Sequence, residues 1–142
     1  DLGYQHAELA VRRDRWTVAV AGERLEGNDA RGFTTPLATL HAFQGWADVF
    51  LTTPPDGVRD LNATVSYATQ PWLANQPVVF TVRAHDFTDG DGGVDFGSEV
   101  DASVRFSLSE HVSLETKAAA FDGEDPRFAD RTKFWFAVEY RY

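Results

Sequence analysis

The sequence predicts an all-β fold, an antiparallel up-and-down transmembrane β-barrel with about seven strands in 142 residues. Three observations predict it. Apolar side chains recur at every second position in seven segments, each close to the roughly 9–11 residues of a tilted membrane strand. Charged residues fall mid-segment in the opposite register, and the connections tend to alternate between short and long. Strand side chains alternate between faces, so such a segment is oily on one side and polar on the other. In a soluble sandwich the oily side is the core. In a membrane barrel it meets lipid while the polar side lines a wet lumen, and aromatics gather near strand ends as interface girdles. The recurrent mid-strand charges favour the barrel.

The segments follow in order. Over about 3–12, Ala7, Leu9 and Val11 oppose Tyr4, His6, Glu8 and Arg12; a tight turn at 13–15 leads to 16–25, where Trp16, Val18 and Val20 oppose Thr17, Ala19, Ala21 and Glu23. A long connection, 26–57, follows. Over 58–68, Leu61, Ala63, Val65 and Tyr67 oppose Asp60, Asn62, Thr64 and Ser66. Pro71 and Pro77 interrupt any ladder around the turn at 69–76. The fourth segment sets Val78, Phe80, Val82 and Ala84 against Thr81, Arg83 and His85, and the Gly/Asp-rich stretch 88–95 closes that hairpin. Over 96–107, Val100, Ala102, Val104 and Phe106 oppose Glu99, Asp101, Ser103 and Arg105. A short turn at 109–111 leads to 112–121, where Val112, Leu114, Ala118 and Ala120, with Thr116 among them, oppose Glu115 and Lys117. The loop 122–130 then leads into RTKFWFAVEYRY, where Phe134, Phe136, Val138, Tyr140 and Tyr142 oppose Lys133, Trp135, Glu139 and Arg141.

Composition removes other classes. The chain has no Cys, which excludes disulfide frameworks and thiolate metal sites. A formal charge of −9 argues against nucleic acid as a partner. No run approaches the roughly 18 apolar residues of a spanning helix, and mean hydropathy is negative. With the C-terminus in the periplasm, 26–57, 88–95 and 122–130 face outward from the cell, and the turn at 69–76 is longer than a periplasmic turn should be. Seven is odd, whereas bacterial single-chain barrels are even-stranded. The chain also lacks Met and begins at Asp1. Both facts lead us to expect further barrel strands before Asp1, with 1–142 as the C-terminal part of one barrel domain.

Three blocks carry a more specific resemblance: 33–60 (FTTPLATLHAFQGWADVFLTTPPDGVRD), 85–101 (HDFTDGDGGVDFGSEVD) and 133–142 (KFWFAVEYRY). They resemble the C-terminal part of alginate-export-family outer-membrane porins, in which similar blocks occur in the same order before an aromatic-ended last strand. The resemblance implies a large monomeric barrel in the bacterial outer membrane, passing small polar or anionic solutes. It also implies that Phe134, Phe136, Val138, Tyr140 and Tyr142 form the insertion signal read by the barrel-assembly machinery, with outer-membrane lipid as the surrounding partner.

Candidate sites follow from the register. Arg83, His85, Glu99, Asp101, Arg105, Glu115, Lys117, Lys133 and Glu139 are expected to line the lumen. Rings of mixed charge can screen solutes by sign, and equally can be cross-strand ion pairs that stiffen the wall. The 26–57 connection is too long and apolar for a free loop. It either folds into the pore, with Phe33, His41, Phe43, Trp46 and Asp48 at a constriction, or packs over the rim, with a short helix over 39–50. Asp86, Asp89, Asp91 and Asp95 lack the EF-hand's Gly and Glu, so we expect a solvated turn and no metal. His6, His41, His85 and His111 lie in different elements with no catalytic motif around them, so neither an enzyme nor a cofactor is expected. Porin function is the reading the sequence favours. A scaffolding barrel that holds a partner complex and conducts little is the first alternative, and a soluble barrel with reversed faces the second.

Overall fold

The computed structural model describes residues 1–34, 44–71 and 75–142. Seven antiparallel strands form one sheet in strict sequence order: β1 (Tyr4–Arg13), β2 (Trp16–Leu25), β3 (Val58–Ala68), β4 (Val78–Thr88), β5 (Asp95–Ser107), β6 (Val112–Gly123) and β7 (Arg131–Tyr140). Each pairs only with its chain neighbours, so the sheet is open, with β1 and β7 as its edges. Among the described residues there is no helix. The helix considered over 39–50 is not formed over 44–50, and 39–43 lies outside the described residues.

Register carries the alternation across the whole sheet. Val11, Val18, Val65, Val82, Ala102, Ala118 and Phe134 are successive cross-strand partners, one row through all seven strands. All seven are on one face and most are exposed, Phe134 at 77%. The row one residue along, Ala10, Ala19, Thr64, Arg83, Asp101, Ala119 and Lys133, lies on the other face and carries the charge. Near the short-turn ends of β2 and β3 the outward face carries Trp16 against Tyr67, ring centroids 4.6 Å apart.

The polar face is not polar throughout. Leu25, Val58, Phe87 and Phe121 share its register at the long-loop ends of their strands and are buried with Phe50 and Phe96. Phe96 reaches this cluster through a β-bulge: the register slips between Phe87 and Thr88, opposite Gly97 and Asp95. Gly97 has φ +131, and an added Cβ there would collide with the Asp122 carbonyl, so only glycine makes the slip. A side chain that strict alternation would send outward is thereby turned inward.

Strand ends differ modestly from the sequence expectation. β4 runs on to Thr88 and β6 to Gly123, which shortens the loops beyond them. Those loops are tied together at the rim. Arg127 pairs with Asp56 at 2.9 Å and Asp125 at 2.8 Å, and Gly90 N donates to the Asp56 carbonyl.

Candidate functional site

The site is built by residues 44–50, which leave the rim and lie against the polar face as a strap. At one end Gln44 Nε2 donates to Glu23 Oε2 on β2 at 2.6 Å, and the other Glu23 oxygen accepts from the Tyr4 hydroxyl at 2.8 Å. In the middle, Ala47 N donates to Glu99 Oε1 on β5 at 2.8 Å. At the far end Lys133 Nζ pairs with Asp48 Oδ2 at 2.7 Å, and Arg131 donates to the Asp48 carbonyl at 2.7 Å, both from β7. Trp46 lies under two cations, with Lys117 Nζ 5.1 Å and the Arg83 guanidinium 5.9 Å from its ring centroid. Phe50 then plugs into Phe87, Phe96, Phe121 and Phe128.

The strap crosses from β2 to β7, five strand spacings apart and roughly 24 Å in a flat sheet. Its backbone from residue 44 to 48 spans at most about 14 Å, and side chains supply the rest of the reach: Glu23 with Gln44 at one end, Lys133 with Asp48 at the other.

Beneath the strap lies a sealed knot of charge. Asp60, His85, Glu99 and Asp101 are 2%, 4%, 1% and 0% exposed. His85 Nδ1 lies 2.9 and 3.0 Å from the two Asp60 oxygens; a carboxylate only accepts, so this nitrogen donates. Nε2 faces Asp101 Oδ2 at 3.5 Å, too far for a formed hydrogen bond. Nε2, Glu99 Oε2 and both Asp101 oxygens have no hydrogen-bond partner among the described residues. His85 also stacks on Phe87, ring centroids 5.3 Å apart. Beside the strap a cavity of about 250 Å³ stays open, lined by Glu8, Glu23, Asp60, Asn62, Arg83 and His85 among others.

All nine lumen candidates lie on the polar face, but in two environments. His85, Glu99, Asp101 and Lys133 meet at the strap, with Arg83 at its margin, where its Nε donates to Thr64. Arg105, Glu115 and Glu139 lie toward the short-turn end, Arg105 pairing with Glu139 at 3.0 Å, and Lys117 links the two environments, 3.5 Å from Glu115 and over the Trp46 ring of the strap. Of the constriction candidates, Trp46 and Asp48 are in the strap, and Phe33 is against Tyr4 with ring centroids 6.0 Å apart. His41 and Phe43 lie outside the described residues. Phe134, Phe136, Val138 and Tyr140 are on the outward face of β7, with Tyr142 beyond it. Among the described residues no group of three or more His, Cys, Asp or Glu could hold a metal ion.

Sequence reasoning passed over Gln44, Ala47 and Arg131, whose roles depend on contacts between distant parts of the chain. A signal was present nonetheless. Leu25, Phe87 and Phe121 are apolar side chains in the polar register, each at the long-loop end of its strand, and they mark where something must cover the wall.

Seven antiparallel strands with one exposed apolar face, and a polar face crossed by a strap, define an open β-sheet with a covered charged site. The chain matches no protein-family model, no curated protein and no solved structure.

Proposed function

We propose that this chain is part of the wall of an outer-membrane porin that passes small polar or anionic solutes along its charged face. The observation that carries the reading is the pairing of continuous, exposed apolar rows on the outward face with a charged opposite face. Water does not stabilise the first and lipid does not stabilise the second, so the arrangement suits a wall between hydrocarbon and an aqueous lumen. The three blocks that resemble alginate-export-family porins point the same way, and so does the aromatic-ended β7 as an insertion signal.

Barrel closure follows from strand direction. β1 and β7 run the same way, so pairing them directly would be parallel. Antiparallel closure requires an odd number of further strands between β7 and β1. The test is purification and planar-bilayer recording of the full-length protein. A detergent-requiring protein with stepwise conductance supports the reading; a protein that stays monodisperse without detergent overturns it.

One observation favours the scaffolding alternative. The strap covers Glu99 and occupies part of the polar face, as a plug would. A detergent-requiring barrel that inserts and conducts nothing would select that alternative.

A further inference from the structure

We infer that the outward face carries a binding site for the phosphate headgroup of an anionic lipid, at the long-loop end of β2 and β3, with Arg59 as its anion-binding residue. The inference rests on the membrane reading above and names a lipid that this wall would hold. Two independent observations meet there. The first is a glycine that the backbone does not need. Gly22 lies within β2 on the outward face, its φ is not positive, and the register runs through it without a bulge. A Cβ added there would meet nothing within 4 Å. A strand-interior glycine weakens its strand, and where neither a bulge nor a bend requires it, it marks the close approach of something else. The missing side chain opens a hollow of about 480 Å³, floored by Ala7, Gly22 and Leu61 and edged by Arg24 and Arg59.

The second observation is charge. Arg24 and Arg59 are direct cross-strand partners, an arrangement in which like charges repel. Arg24 is already offset: its Nε donates to the Gly90 carbonyl at 2.6 Å, its Nη2 to Asp91 at 2.9 Å, and its Nη1 lies 3.5 Å from Glu26. The exposed Arg59 side chain has no hydrogen bond or ion pair among the described residues. A phosphate beside it relieves the repulsion and accepts the fork of N–H donors that a guanidinium presents. This basic edge lies directly beyond the apolar rows, in which Val20 pairs with Ala63 and Gly22 with Leu61. A lipid whose phosphate reaches Arg59 therefore lays its first acyl carbons on the floor of the hollow, whereas a free phosphate ion would use the edge alone.

The test takes the full-length protein, delipidated in a non-ionic detergent, and measures by native mass spectrometry its binding of dioleoyl phosphatidic acid and dioleoyl phosphatidylcholine. Phosphatidic acid should bind roughly tenfold tighter than phosphatidylcholine, and equimolar inorganic phosphate should not displace it. Arg59→Gln should weaken phosphatidic acid roughly tenfold, the loss of a charge-assisted hydrogen bond. Gly22→Trp fills the hollow and leaves both arginines in place; it should weaken binding in the same direction, and it serves if the Arg59 variant fails to fold. Arg13→Gln removes a charge from the same face at the short-turn end of β1 and should change nothing. Equal affinity for the two lipids, or equal losses from Arg13→Gln and Arg59→Gln, would overturn the site. Displacement by equimolar phosphate would reduce it to a free-anion site and overturn the lipid. Phosphatidic acid held at Arg59 by a protein that stays monodisperse without detergent would keep the site and refute the membrane reading. A conducting, detergent-requiring protein with no lipid preference would do the reverse.

Discussion

His85 and Asp60 illustrate how a polar group survives burial on this wall. Asp60 accepts from the imidazole with both oxygens, and Asn62 Nδ2 donates to it at 3.1 Å. Asp60→Ala would leave a buried ring nitrogen without its acceptor, and we expect a loss of about 1–3 kcal/mol in urea unfolding of the lipid- or detergent-folded protein. Phe50 makes the opposite kind of contribution. It touches four aromatic rings from β4, β5, β6 and the 124–130 loop, so Phe50→Ala should cost about 3–5 kcal/mol, read as a drop in the urea midpoint. His85 as a hydrogen-bonded residue on the polar face was legible from alternation. Its partner Asp60 was placed on the same face but not paired with it, because the pairing depends on the β3–β4 register, which sequence alone does not fix.

At the scale of elements, the strands were the legible part. Each is specified by neighbouring residues, and the two-residue period in Leu61, Ala63, Val65 and Tyr67 needs no knowledge of the rest of the chain. The strap was legible only as a long apolar connection. Its seat depends on Glu23, Glu99 and Lys133, which are 21 to 85 positions from their strap partners. The rim loops make a separate prediction. Hydrogen bonds from the Arg127 side chain and backbone hold the Asp125 carboxyl below its ordinary value of 3.8. A depressed carboxyl contributes stability that is present above its unfolded value and lost as pH falls through the folded one. The Arg127–Asp125 pair should therefore hold at neutral pH and loosen only below the ordinary carboxylate range. Amide exchange at Arg127, whose N–H donates to Asp125 Oδ1, reads this against pH, and protection lost near neutrality would contradict it.

For the whole molecule, the account turns on which face meets hydrocarbon. Val82 is mid-row on the outward face and half exposed. Val82→Arg should destabilise a bilayer-embedded wall by about 2–4 kcal/mol at the midplane, while the same change in a wall facing water should cost little. The split of each strand into an apolar and a charged register was legible from sequence, and the bulge that turns Phe96 inward was not. Closure was not legible, because it depends on partners for β1 and β7. The most direct measurement places single spin labels at 80 to 84 in the full-length protein in bilayers, with any cysteine outside these 142 residues replaced, and reads their collisions with oxygen and with a water-soluble nickel complex. Oxygen accessibility should peak at Phe80, Val82 and Ala84 and nickel accessibility at Thr81 and Arg83. Peaks in the opposite phase, or neither reagent reaching Phe80, Val82 and Ala84, would show that the apolar rows meet protein rather than lipid.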